Sequence, residues 1–258
     1  MRILRYGWIE STYLLFTSAY TAPQISSADR GSITQCVNAS HDRNECVGIV
    51  ADACIKAIAG DSYVEDAKAC AARERGVWDE RLQASLKSVN ASFPALQLAI
   101  ADAQSNWLKS LEGLCPTFDA IDPGMYSAGG SEYCRLQEIG RRALIIECMN
   151  VPRDKNGSVE TCINNLAGHC KLAEGEDEKA CTARELADSK KHLQATVKTF
   201  GDVRETQSYW LKSREKLCPL FAVIDPGTDR VGSNRCRQLE ISGRAGILEI
   251  MAEAVAEH

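Results

Sequence analysis

Twelve cysteines stand in two sextets of the same order, Cys36, Cys46, Cys54, Cys70, Cys115 and Cys134, then Cys148, Cys162, Cys170, Cys181, Cys218 and Cys236. The offset between matching cysteines drifts from 112 residues at Cys36 and Cys148 to 102 at Cys134 and Cys236, so short loop insertions and deletions separate the copies. Duplication is the simplest explanation. Cross-links that close loops of fifteen to twenty residues contribute roughly 3 kcal/mol each in the chain-entropy model, which matters greatly to a small module. An even count of regularly placed cysteines persists as disulfides only in an oxidising compartment.

A chain of 258 residues accommodates one large domain or two smaller ones, and the cysteine register favours two. The expected division is a signal peptide at 1–28, a first module at 29–147 and a second at 148–258, with Pro152, Asp154, Asn156 and Gly157 marking a loop at Val151 to Gly157. Arg2 and Arg5 precede the apolar Tyr13-Leu14-Leu15-Phe16, and small residues follow at Ala19, Ala22 and Ala28. Ser26-Ser27-Ala28 then suits cleavage before Asp29. No later run approaches the roughly 18 to 20 apolar residues of a membrane span. The expected protein is therefore soluble, and periplasmic or secreted. Its net charge is −5, from 30 basic and 35 acidic residues with interspersed signs. That pattern argues against nucleic acid, whose phosphates require clustered Lys and Arg. A mildly acidic surface instead suits a cationic protein partner.

Periodicity predicts an all-α fold. Glu178 to Leu217 has no proline and places Leu186, Leu193, Val197, Phe200, Val203, Trp210 and Leu217 close to helical spacing. The matching stretch, Val64 to Leu114, contains Phe93-Pro94, and proline inside a helix removes a hydrogen bond and clashes with the preceding turn. A kink or break is expected near Asn90 to Pro94. Closing helices carry the stripes Leu136, Ile139, Ala143, Ile146 and Ile241, Ala245, Leu248, Met251. Shorter helices are expected around Cys46 to Ala59 and Val159 to Lys171. No stretch alternates as a strand does.

Six cysteines per copy allow fifteen connectivities, and sequence alone does not choose among them. If each turn closes an antiparallel helical hairpin, local pairing follows. The expected bridges are Cys36–Cys46, Cys54–Cys70, Cys115–Cys134, Cys148–Cys162, Cys170–Cys181 and Cys218–Cys236, giving two tandem disulfide-linked helical-hairpin modules.

The strongest internal match is Trp107-Leu-Lys-Ser, Cys115-Pro, Phe118, Ile121-Asp-Pro-Gly124, Gly130-Ser131 and Cys134-Arg135. Its counterpart is Trp210-Leu-Lys-Ser, Cys218-Pro, Phe221, Ile224-Asp-Pro-Gly227, Gly232-Ser233 and Cys236-Arg237. A helical tryptophan, a cysteine eight residues on, a Gly-Ser loop, a second cysteine and a later arginine, here Arg142 and Arg244, resemble the LprI-type lysozyme inhibitor family. Cys70-Ala-Ala-Arg, Trp78-Asp79 and Leu82 resemble that family's first long helix. The family's arginine four residues after the tryptophan is present as Arg214 and replaced by Leu111, and six cysteines stand where the family usually has four. The resemblance implies a helical, disulfide-tied envelope module that binds lysozyme.

Inhibition of that kind is steric and electrostatic: a loop must fill a cleft holding two carboxylates without leaving those charges buried and unpaired. The Cys115 to Cys134 and Cys218 to Cys236 loops, preorganised by their bridges, are the expected blocking elements. Lys109, Lys212, Arg135 and Arg237 are the candidates to meet the carboxylates, with Asp122 and Asp225 shaping Asp-Pro-Gly turns. Trp107 and Trp210 complete the candidate binding set, although their place on the apolar stripe suits core anchors as well. The alternative function is an envelope-assembly module that docks another protein through its helical faces, without inhibiting lysozyme.

Catalysis is not expected. His41, His169, His192 and His258 have no counterpart in the other copy, and there is no CxxC, so zinc and thioredoxin-like sites lack their signatures. Neither a phosphate-binding Gly-rich loop nor a nucleophile elbow occurs. The sequence calls for no cofactor or metal.

Overall fold

A computed structural model describes residues 25–40, 42–58, 63–121, 130–151, 158–167, 204–225 and 231–256, with scattered helical positions between 180 and 194. Among them there is no strand. Nine helices are named here in chain order: α1 (Ser27–Ala39), α2 (Ile49–Lys56), α3 (Tyr63–Ser92), α4 (Gln97–Leu114), α5 (Pro116–Ile121), α6 (Gly130–Cys148), α7 (Val159–Ala167), α8 (Arg204–Ile224) and α9 (Val231–Ala256).

The break expected near Pro94 is present. α3 stops at Ser92, Pro94–Leu96 forms a single 3-10 turn with proline in its first position, and α4 starts at Gln97. Proline is tolerated there because its missing N–H would have been an unsatisfied helix-end donor anyway. The second copy uses proline differently. α8 runs beyond the expected end at Leu217, carries Pro219 within it and reaches Ile224, where Asp225 N–H closes on Phe221 O at 2.9 Å.

α1 was not foreseen. Ser26 Oγ accepts from Asp29 N–H at 3.1 Å, and the Asp29 carboxylate accepts from Ser26 N–H at 2.9 Å. This reciprocal capping box satisfies two helix-end donors at once. The 28/29 boundary drawn for a signal peptide thus runs through the first turn of a helix whose Asp29 also pairs with Arg73 at 3.1 Å.

One buried apolar cluster takes in both copies, from Ile33 and Trp78 to Trp210, Leu248 and Met251. Its most extensive contacts join α3 to α6 within the first copy and α4 to α8 between the copies. The copies therefore share a core through α4 and α8. α9 lies against α8 and α7 and also touches α5 and α6.

Five disulfides staple neighbouring elements: Cys36–Cys46, Cys54–Cys70, Cys115–Cys134, Cys148–Cys162 and Cys218–Cys236. Their sequence separations run from 10 to 19 residues. Cys148–Cys162, both of the second sextet, ties the last residue of α6 to α7. Cys181 is also disulfide-bonded, while Cys170, its expected partner, lies outside the described residues. Among those residues no helix is long and apolar enough to cross a membrane.

Candidate binding face and the ion-pair exchange beneath it

α4 buries Ile100, Ala103, Gln104, Trp107, Ser110, Leu111 and Leu114, a stripe at three- and four-residue spacing. On α8 the buried set includes Gln207, Trp210, Ser213 and Leu217, which occupy the matching positions of the second copy. With the two stripes face to face, polar residues of the repeat meet near one another in the core.

Arg142 and Arg244, each 1% exposed, exchange partners there. Arg142 donates to Glu240 at 2.9 Å and Ser213 at 3.2 Å, both in the second copy, and to Gln104 at 3.1 Å in its own. Arg244 donates to Ser110 of the first copy at 2.8 Å and lies 3.9 Å from Glu138. The indole N–H of Trp107 donates to Glu138 at 3.3 Å and that of Trp210 to Glu240 at 3.1 Å. Each arginine also stands over the tryptophan of its own copy, Arg142 at 5.4 Å from the Trp107 ring centre and Arg244 at 5.8 Å from that of Trp210.

Burial pulls both guanidiniums below their ordinary pKa, and the two carboxylates oppose that pull. The exchange is not fully symmetric. Arg244 Nε and both amide atoms of Gln207 are buried without a hydrogen-bond partner, whereas the matching Arg142 Nε and Gln104 Oε1 bond each other.

Trp107 and Trp210, 3% and 1% exposed, are closed to a binding partner by this arrangement. Lys109 and Lys212 face outward on the same two helices. Their ammonium groups stand 5.5 Å and 5.3 Å from the ring centre of one residue, Tyr209 of α8. Tyr209 OH donates to Glu205 at 3.3 Å, and Lys216 pairs with Asp102 across α8 and α4. That lysine holds the Asp102 carboxyl below its usual range. Equivalent lysines of the two copies therefore flank a single aromatic ring on a face backed by rigid, core-anchored helices.

The remaining candidates are dispersed. Arg135 is held by Glu132 at 2.5 Å, a carboxylate that Arg75 also reaches at 2.9 Å. Arg237 bonds Asn234 at 3.2 Å and lies 3.7 Å from Glu215. Asp225 follows α8, and Asp122 lies outside the described residues, as do 123–129 and 226–230 of the two expected blocking loops. The first of those loops is tied at its described ends by Ser131, whose N–H and Oγ donate to Asp119 at 3.2 and 2.6 Å. Gly130, at φ +44°, makes room for that contact: a Cβ there would lie 2.5 Å from Asp119 Oδ1.

Sequence reading also missed Glu74, a fully buried carboxylate on α3. It accepts from Gly48, Val50 and Ala51 N–H at 2.7 to 2.8 Å at the start of α2, and from Trp78 Nε1 at 2.9 Å. Burial pushes its pKa up, and the four donors pull against that rise. Its partners make it a helix cap rather than a reactive acid. The available signal was a glutamate four residues before Trp78 on one helix face.

No family model, curated protein or solved structure matches this chain.

Proposed function

We propose that this is a periplasmic or secreted binding protein of the lysozyme-inhibitor kind, which acts by occupying a partner's surface without catalysis. The Lys109–Tyr209–Lys212 ridge is the part that meets the partner. The observation that carries this reading is the convergence of two equivalent, exposed ammonium groups on one tyrosine ring. Two exposed lysines on one face bring the charge that complements a paired-carboxylate cleft, and tyrosine adds contact area at little conformational cost. The disulfides support an oxidising compartment, and the resemblance around Trp107 and Trp210 supports a lysozyme as partner.

The test is a lysis assay with a cationic lysozyme and excess oxidised protein, repeated after reduction. Inhibition by the oxidised form that Lys109→Glu/Lys212→Glu weakens about tenfold supports the reading. Full lysis at excess protein rejects it. A second reading, an envelope-assembly module without lysozyme inhibition, draws on the exposed apolar side chains Leu98 at 86% and Val223 at 60%. Capture of a defined envelope protein, lost on Leu98→Glu or Val223→Glu, distinguishes it.

A further inference from the structure

Two glycines of α9 lack side chains for different reasons. A Cβ on Gly243 would lie 2.2 Å from the Arg141 guanidinium, so this glycine lets Arg141 lie across α9. A Cβ on Gly246 would meet nothing within 4 Å, so packing does not require glycine there. Glycine inside a helix nonetheless weakens it relative to alanine. In the first copy the matching position is Leu144, a buried core residue. Gly246 instead lines a cavity of about 310 Å³ between α5, α6 and α9.

The cavity has an apolar wall of Phe118, Ile247 and Ile250, and a polar edge at Gln137 and Arg141. Arg141 lies 3.8 Å from Glu138 Oε1, the same oxygen that faces Arg244 at 3.9 Å. Glu240 is already paired with Arg142. Among the described residues of this group, three guanidiniums, the half-buried Arg141 and the buried Arg142 and Arg244, thus share two carboxylates, leaving one positive charge in excess. Arg141 is the member that lines the cavity.

We propose that this cavity binds a small amphipathic monoanion, a medium-chain carboxylate of the fatty-acid type, with its head on Arg141 and Gln137 and its chain against Phe118, Ile247 and Ile250. The charge imbalance selects the anionic head, and the apolar wall selects the chain. The site is formed by α5, α6 and α9, and it stands or falls apart from the lysine ridge on α4 and α8.

The experiment titrates the oxidised full chain with sodium octanoate by isothermal calorimetry at neutral pH, with 1-octanol as the uncharged comparison. Octanoate binds saturably at one site, about tenfold more tightly than octanol, the factor a charge-assisted hydrogen bond supplies. Arg141→Gln removes octanoate's advantage and leaves octanol unchanged. Gly246→Leu, which restores the first copy's side chain, abolishes binding of both while raising the thermal midpoint, so loss of binding is not loss of fold. If Arg141→Gln does not fold, Gly246→Leu alone decides. Absence of saturable octanoate binding, equal affinity for octanol, or undiminished binding to Gly246→Leu overturns the proposal.

Discussion

The Arg142 guanidinium sits 2.9 Å from the Glu240 carboxylate, the two residues 98 positions apart and both buried. Deleting one member of such a pair leaves an uncompensated charge in the core. Glu240→Ala is expected to cost about 3–5 kcal/mol, read from urea unfolding of the oxidised protein. Arg142→Met with Glu240→Leu, which removes both charges and keeps apolar volume, is expected to recover much of that loss. A double variant no better than Glu240→Ala would show that the ion pair is not the source of the cost.

The capping box at α1 makes a smaller claim. Ser26→Ala removes the acceptor for Asp29 N–H and is expected to cost about 1 kcal/mol, measured as a lower denaturation midpoint. Asp29→Ala is expected to cost more, because it also removes the bond to Ser26 N–H and the ion pair with Arg73. Equal stability of all three proteins would refute a structural role for the Ser26–Asp29 pair.

Glu74 predicts a pH dependence. Its carboxyl binds protons more readily in the folded chain than in the unfolded one, because burial raises its pKa. In the window above the ordinary carboxyl range the folded state therefore holds more protons, and this residue's contribution falls as pH rises through its folded pKa. Stability of the wild type minus that of Glu74→Gln is expected to decline from about pH 4 toward neutrality. An increase across that range in paired unfolding curves would show that the four donors outweigh burial.

Charge reversal of the ridge addresses function. Lys109→Glu/Lys212→Glu is expected to change stability by no more than about 0.5 kcal/mol, since both side chains are exposed. Inhibition of lysis should weaken by about tenfold, chiefly through slower association and with a flatter salt dependence. Undiminished inhibition would place the contact elsewhere.

Much of this architecture was legible because its causes are local. Phe93-Pro94 breaks the long helix where a proline must, and hairpin geometry pairs cysteines 10 to 19 residues apart. Helical spacing found the buried faces of α6, α8 and α9. The misses have physical reasons too. Helix α1 went unread because its start is marked by the reciprocal bonds between Ser26 and Asp29 and not by an apolar stripe. The long helix was read only as far as Leu217, yet α8 carries Pro219 and continues to Ile224. The candidate ridge was half visible: Lys109 and Lys212 were named, but Tyr209 matters only once α4 and α8 lie side by side. Glu138 and Glu240 looked like two among many scattered carboxylates, because what distinguishes them is a counter-ion in the other copy.

That crossed arrangement binds the fates of the two halves of the chain. The first half cut loose would keep Gln104 beside Arg142 and Trp107 and Arg141 beside Glu138, yet lose the charges that face both from the other half. A change at these positions in either half must be answered in the other, so the halves stand as a mutual dependency and not as two spare parts.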